Sequence, residues 1–120
     1  MAELGIAAAL TIVVELAVIN LVDGKTETDL IEASNQFQRD FLDHQPGFIR
    51  RELVRKTDSE YLDIIHWRSQ DDVDAVMKTI HSSPAVQAYF SVMEFDSDNP
   101  DSGVELYSSI TAYEILNSRK

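Results

Sequence analysis

Apolar and polar positions along the chain switch between two spacings, and the switches mark its elements. Residues 12–22 (IVVELAVINLV) are apolar and β-branched, which predicts a strand buried on much of both faces. Thr26 to Asp29 fits a capping box, and Leu30, Ser34, Phe37 and Phe41, with Ile31, Ala33 and Leu42 beside them, form a helical stripe to about His44. Residues 48–56 and 60–68 alternate as strands around a turn at Thr57-Asp58-Ser59. Ser69 to Asp72 looks like a second capping box, followed by the stripe Val73, Val76, Met77 and Ile80. Ser83-Pro84 restarts a helix with Val86, Tyr89, Phe90 and Met93 on one side. An acidic loop, 94–103, leads to a final strand at about 104–113. Gly24, Pro46-Gly47, Pro84, Pro100 and Gly103 fall where elements should end.

The order is β-α-β-β-α-β, which predicts an α+β, ferredoxin-like fold: an antiparallel four-stranded sheet with helices on one face. No element remains to cover the other face. A sheet face rich in Val, Ile and Leu marks an interface, so a homodimer packed sheet to sheet is expected, closing into a dimeric α+β barrel.

Composition narrows the function. A chain of 120 residues that is 44% hydrophobic and 26% charged suits one folded domain, 1–120, with its core at about 12–113. It has no cysteine, which excludes disulfides, thiolate nucleophiles and zinc–thiolate or Fe–S sites. That is compatible with a reducing, cytoplasmic location. With 21 acidic and 10 basic residues and a formal charge of -11, the chain is a poor partner for nucleic acid or an anionic membrane. Leu4 to Val22 approaches the length of a membrane span, yet Glu15 lies inside it and no Lys or Arg precedes Lys25. A charge at bilayer depth costs about 3 kcal/mol, so a buried strand with an apolar lead-in is the expectation.

Three motifs carry a family resemblance: Pro46-Gly47-Phe48, Ile65-His66-Trp67-Arg68-Ser69 and Ser83-Pro84-Ala85-Val86-Gln87-Ala88-Tyr89. In this order, over about 12–113, the chain resembles the antibiotic-biosynthesis-monooxygenase-like group of dimeric α+β barrel proteins. That group includes cofactor-free quinone-forming monooxygenases, heme-degrading enzymes and members with no known activity. The Asn, Trp and His positions of the heme-degrading members fall near Ala17, Val76 and Tyr89, so heme cleavage is not implied. Ala85 replaces the His that other members carry after the proline. The resemblance implies a monooxygenase needing no cofactor, acting on a planar aromatic, quinol or polyketide-like substrate. There a phenolate or carbanion of the substrate reacts directly with O2. A non-catalytic dimeric binding or stress-response protein of the same fold is the alternative.

The candidate catalytic residues are Asp63 and Trp67, which share a strand alternation with Ile65. Asp63 would accept a proton while the indole packs on the substrate; in quinone-forming relatives a polar residue and a Trp on this strand are similarly placed. Alternatively, Trp67 is core and Asp63 is solvated or paired with an arginine. Phe37, Phe41, His81, Tyr89 and Phe90 are candidate ligand-binding residues, with plain core packing as the other reading of the aromatics. His81 and His44 also suit helix C-termini. His66 alternates to the opposite face, where an interface role competes with that of a general base. No metal site is expected. The acidic loop fails the calcium pattern: counted from Asp96, Pro100 stands at the fifth position of the pattern and the required glycine is missing. Arg50, Arg51, Arg55 and Lys56 divide between two strand faces and are expected to pair with acids.

Overall fold

The alternation and helical spacing become four strands and three α-helices in the computed structural model, which describes residues 11–96, 98–99 and 102–114. Strand β1 (Val13–Asn20) leads to helix α1 (Glu27–Asp40), closed by a 3-10 turn at Leu42–His44. The β2 (Phe48–Arg55) and β3 (Glu60–Trp67) hairpin follows. Helix α2 (Gln70–Met77), a 3-10 turn at Ile80–Ser82 and helix α3 (Pro84–Phe90) precede β4 (Val104–Ser108). The sheet order is β2-β3-β1-β4, and every pairing is antiparallel. This is the α+β, ferredoxin-like fold that the element order predicts.

Helix starts follow the local chemistry. At α1, the Thr26 backbone N–H donates to Asp29 Oδ2 at 2.8 Å, and Asp29 N–H returns to Thr26 Oγ1 at 3.2 Å. The expected second box is only half formed. Ser69 Oγ accepts from Asp72 N–H, but the Asp72 carboxylate receives the Ser69 hydroxyl and both arms of Arg68, each bond at 2.8 Å. A charged guanidinium outcompetes the backbone N–H of the cap. Gly47 lies against this same turn, and a Cβ there would run into the Asp72 side chain. Ser83 caps α3 and Pro84 opens it, where a missing N–H costs nothing.

Among the described residues, helices cover one face of the sheet only. Leu30, Phe37 and Leu42 meet Ile19, Tyr61 and Trp67 in one core, closed by Val73, Val76 and Val86. Burial of each such side chain contributes about 1.5–3 kcal/mol. The opposite face carries Val14, Leu16 and Val18 of β1, Leu62, Ile64 and His66 of β3, and Tyr107 of β4. The expectation that β1 is buried on much of both faces therefore holds on the helix side alone: Val18 is 49% exposed. The final strand is shorter than predicted, because β1 offers partners only from Val13 to Ala17 and the ladder ends at Ser108. Beyond it, Ile110 is 94% exposed. The apolar lead-in at 4–10 and Pro100 and Asp101 of the acidic loop lie outside the described residues.

Candidate functional site

A cavity of about 150 Å³ lies between the sheet and the helices. Glu15, Ala17 and Asp63 line its sheet side, and Phe37, Tyr89 and Phe90 line its helix side. Met77 and Ile80 add apolar wall, while the exposed His81, Glu94 and Phe95 form the rim. A space of this size takes a molecule about the size of benzene, and the exposed rim leaves it open to solvent on one side. The rim is tied down where Glu94 N–H donates to the Asn20 carbonyl at 2.7 Å.

Asp63 is buried by strand alternation, since Tyr61, Asp63, Ile65 and Trp67 all face the helices. Its carboxylate is heavily engaged. Arg51 Nε donates to Oδ1 at 2.8 Å and Oδ2 at 3.1 Å, and the Tyr89 hydroxyl donates to Oδ2 at 2.6 Å. Arg51 stands diagonally across the β2–β3 ladder, with its guanidinium near the rings of Phe37 and Tyr89. Its Nη2 donates to Ser34 Oγ at 2.6 Å and to the Tyr89 hydroxyl oxygen at 2.9 Å. Burial works against the Arg51 charge, but the attraction of Asp63 and the hydrogen bonds of the cluster raise its pKa above the ordinary value. Burial, together with the Asp63 charge, pushes the Tyr89 phenol far up, so it stays neutral.

Trp67 is also buried, but its indole is not part of the cavity lining. It packs edge-on against Phe48 and donates Nε1–H to Glu15 Oε1 at 2.9 Å. Glu15 sits opposite Ile65, with Asp63 and Trp67 on the two diagonals. Burial raises its pKa, the Trp67 hydrogen bond opposes that rise, and the Asp63 charge adds to it. Asp63 and Trp67 therefore share a face as expected, and Glu15 stands between them.

Of the other expected ligand-binding residues, Phe37, His81, Tyr89 and Phe90 line the cavity. Phe41 does not: it stacks behind Phe37 at 5.8 Å, and Phe37 in turn stacks on Tyr89 at 4.6 Å. Sequence reasoning missed Glu15 and the specific pairing of Arg51. The available signal was the alternation of Glu15 with Val13, Ala17 and Ile19, which puts an acid on the buried face. Among the described residues, no cluster of three or more His, Asp or Glu side chains is placed to hold a metal, and no helix is long and apolar enough to cross a membrane.

The model of the antibiotic biosynthesis monooxygenase family matches residues 12–91. The chain belongs to that family. Matched residues run from β1 through α3 and include Glu15, Asp63, Trp67 and Tyr89. The structure of SnoaB, a cofactor-independent oxygenase from Streptomyces nogalater, is similar, with a TM-score of 0.64 and 18% identity over 88% of this chain and 97% of SnoaB. A Caulobacter crescentus protein provisionally assigned to the same family has a TM-score of 0.62 and 12% identity, covering 92% of this chain and 99% of that one. A Shewanella oneidensis protein has a TM-score of 0.59 and 23% identity, covering 83% and 92%. At these identities the likeness concerns the fold. Among curated proteins, none matches the sequence.

Proposed function

We propose that this family member is a cofactor-independent small-molecule monooxygenase acting on a planar aromatic, quinol or polyketide-like compound. The observation that carries the reading is the sheet–helix cavity, apolar on most sides and bearing two buried carboxyl groups on its sheet wall. Its size admits the reacting ring of a planar substrate, with the remainder lying at the rim beside Phe90 and Phe95, which stack at 5.7 Å. The acidic side chains Glu15 and Glu94 favour a neutral ligand over an anionic one, so a phenol or quinol enters protonated and ionises inside.

In the proposed reaction the ionised substrate passes electrons to O2. For an anthrone-type methylene, the ring CH2 and O2 become C=O and H2O, one oxygen atom going to each product. The protein orients the ring, excludes water and manages protons. Asp63 and Tyr89, held from behind by Arg51, form a fixed polar wall that keeps the electrostatics of the cavity constant. Trp67 acts as a positioning residue through its hydrogen bond. An O2-uptake screen of hydroxyanthrones and quinols tests this directly: uptake above the protein-free rate is expected, and none across the screen overturns it.

The working unit in this reading is a homodimer closed through the open sheet face, in the cytoplasm. Its support is the apolar row Leu16, Leu62 and Ile64, and the buried His66 Nδ1, which has no hydrogen-bond partner within the described residues. A non-catalytic ligand-binding dimer is the second reading, favoured by the closed hydrogen bonding of Asp63. It predicts ligand binding with no O2 consumption.

A further inference from the structure

Asp63 is the obvious acid on β3, yet three hydrogen bonds from Arg51 and Tyr89 occupy it. Glu15 is differently placed. Its Oε1 accepts the Trp67 indole N–H, Oε2 makes no hydrogen bond with the described residues, and the side chain lines the cavity. One oxygen is thus an anchor and the other is available to a ligand.

We propose that Glu15 is the proton-transferring residue of the cavity and that Trp67 positions it. This deepens the monooxygenase reading and rests on it for the identity of the reaction. In the step itself, an O–H or activated C–H bond of the substrate breaks, an O–H bond forms on Glu15 Oε2, and the electron pair stays on the substrate. No oxidant is needed until the resulting anion meets O2. The proton on Glu15 later leaves with the product water.

The surroundings suit this role. Asp63 on β3 adds negative charge, with Arg51 of β2 neutralising it from behind, and Tyr89 of α3 stays neutral. His81 and Glu94 stand at the rim, and β4 sets the apolar Leu106 opposite Glu15. Burial makes the Glu15 carboxylate a stronger base than an exposed one, nearer in strength to a phenolate. The Trp67 bond keeps it from being protonated too early in the pH range.

Trp67 is the sole tryptophan of the chain, so its fluorescence reports on the carboxyl it touches. The test is a pH titration of Trp67 emission in the wild type and in Glu15→Gln, which keeps an oxygen acceptor for the indole. One transition above the ordinary Glu range is expected in the wild type and none in Glu15→Gln. A wild-type emission flat with pH, or a transition that survives in Glu15→Gln, overturns the assignment whatever the reaction. A second measurement uses dithranol, a hydroxyanthrone, as the probe. Its absorbance on binding should show the anion with the wild type and the neutral form with Glu15→Gln. Anion in both contradicts the role of Glu15. Anion formed by the wild type without O2 uptake sinks the oxygenase reading and leaves the proton transfer standing.

Discussion

The indole N–H of Trp67 reaches Glu15 Oε1 at 2.9 Å across the β1–β3 ladder, with both side chains buried. This bond joins a residue of the first strand to one of the third. It makes the ionisation of Glu15 depend on a neighbour 52 positions away.

Glu15→Gln should stabilise the protein at neutral pH while abolishing turnover. A carboxyl whose folded pKa is raised binds its proton more readily folded than unfolded. Its stabilising contribution is present below the unfolded value of 4.5 and is lost as pH rises through the folded value. The melting temperatures of wild type and variant should therefore converge toward pH 4.5 and separate above it, with the variant higher. A variant less stable at pH 7 than the wild type contradicts this.

Trp67→Phe removes the bond that lowers the Glu15 pKa. The acid limb of the pH–rate profile should then move to higher pH, with kcat at its plateau changed far less than kcat at low pH. Asp63→Asn removes the charge that raises it, so its limb should move the other way. Limbs that coincide in the three proteins rule out the coupling.

Arg51→Met strands the buried Asp63, whose side chain is 2% exposed. Breaking such a pair from one side costs about 3–5 kcal/mol, which urea unfolding would register as a large fall in the midpoint. The double variant Arg51→Met, Asp63→Leu should cost less than the sum of the two single changes. Additive losses would mean that the ion pair carries no coupling energy.

Gly47→Ala forces a methyl group into Asp72 at the first turn of α2. A loss of about 1–3 kcal/mol is expected from such overpacking. Unchanged stability would mean that the turn shifts freely.

Much of this was legible in the chain because local rules agree. Alternation placed Asp63, Ile65 and Trp67 on one face of β3, and the Thr26–Asp29 box marked the start of α1. What stayed hidden depends on register between distant strands. Glu15 reads as a flaw in an apolar run until the β1–β3 pairing sets it diagonal to both Asp63 and Trp67. Arg51 reads as one of four basic residues on a strand until the hairpin aims it at Asp63. The end of β4 was misjudged for a similar reason. VELYSSITAY is β-prone throughout, but only its first half finds a partner in β1.

Dimerisation through the open face predicts a sedimentation mass near twice 13.5 kDa at micromolar concentration. Ile64→Asp, in the middle of that face, should return the mass to that of one chain while the far-ultraviolet circular dichroism is retained. A wild-type mass near 13.5 kDa would contradict the dimer.

The most direct test of the account is a turnover of dithranol by metal-free, flavin-free protein under isotopically labelled O2. The expected result is one labelled oxygen in the product carbonyl, formed faster than without protein and reduced to the protein-free rate by Glu15→Gln. Unlabelled product, or labelled product formed no faster than without protein, would contradict it.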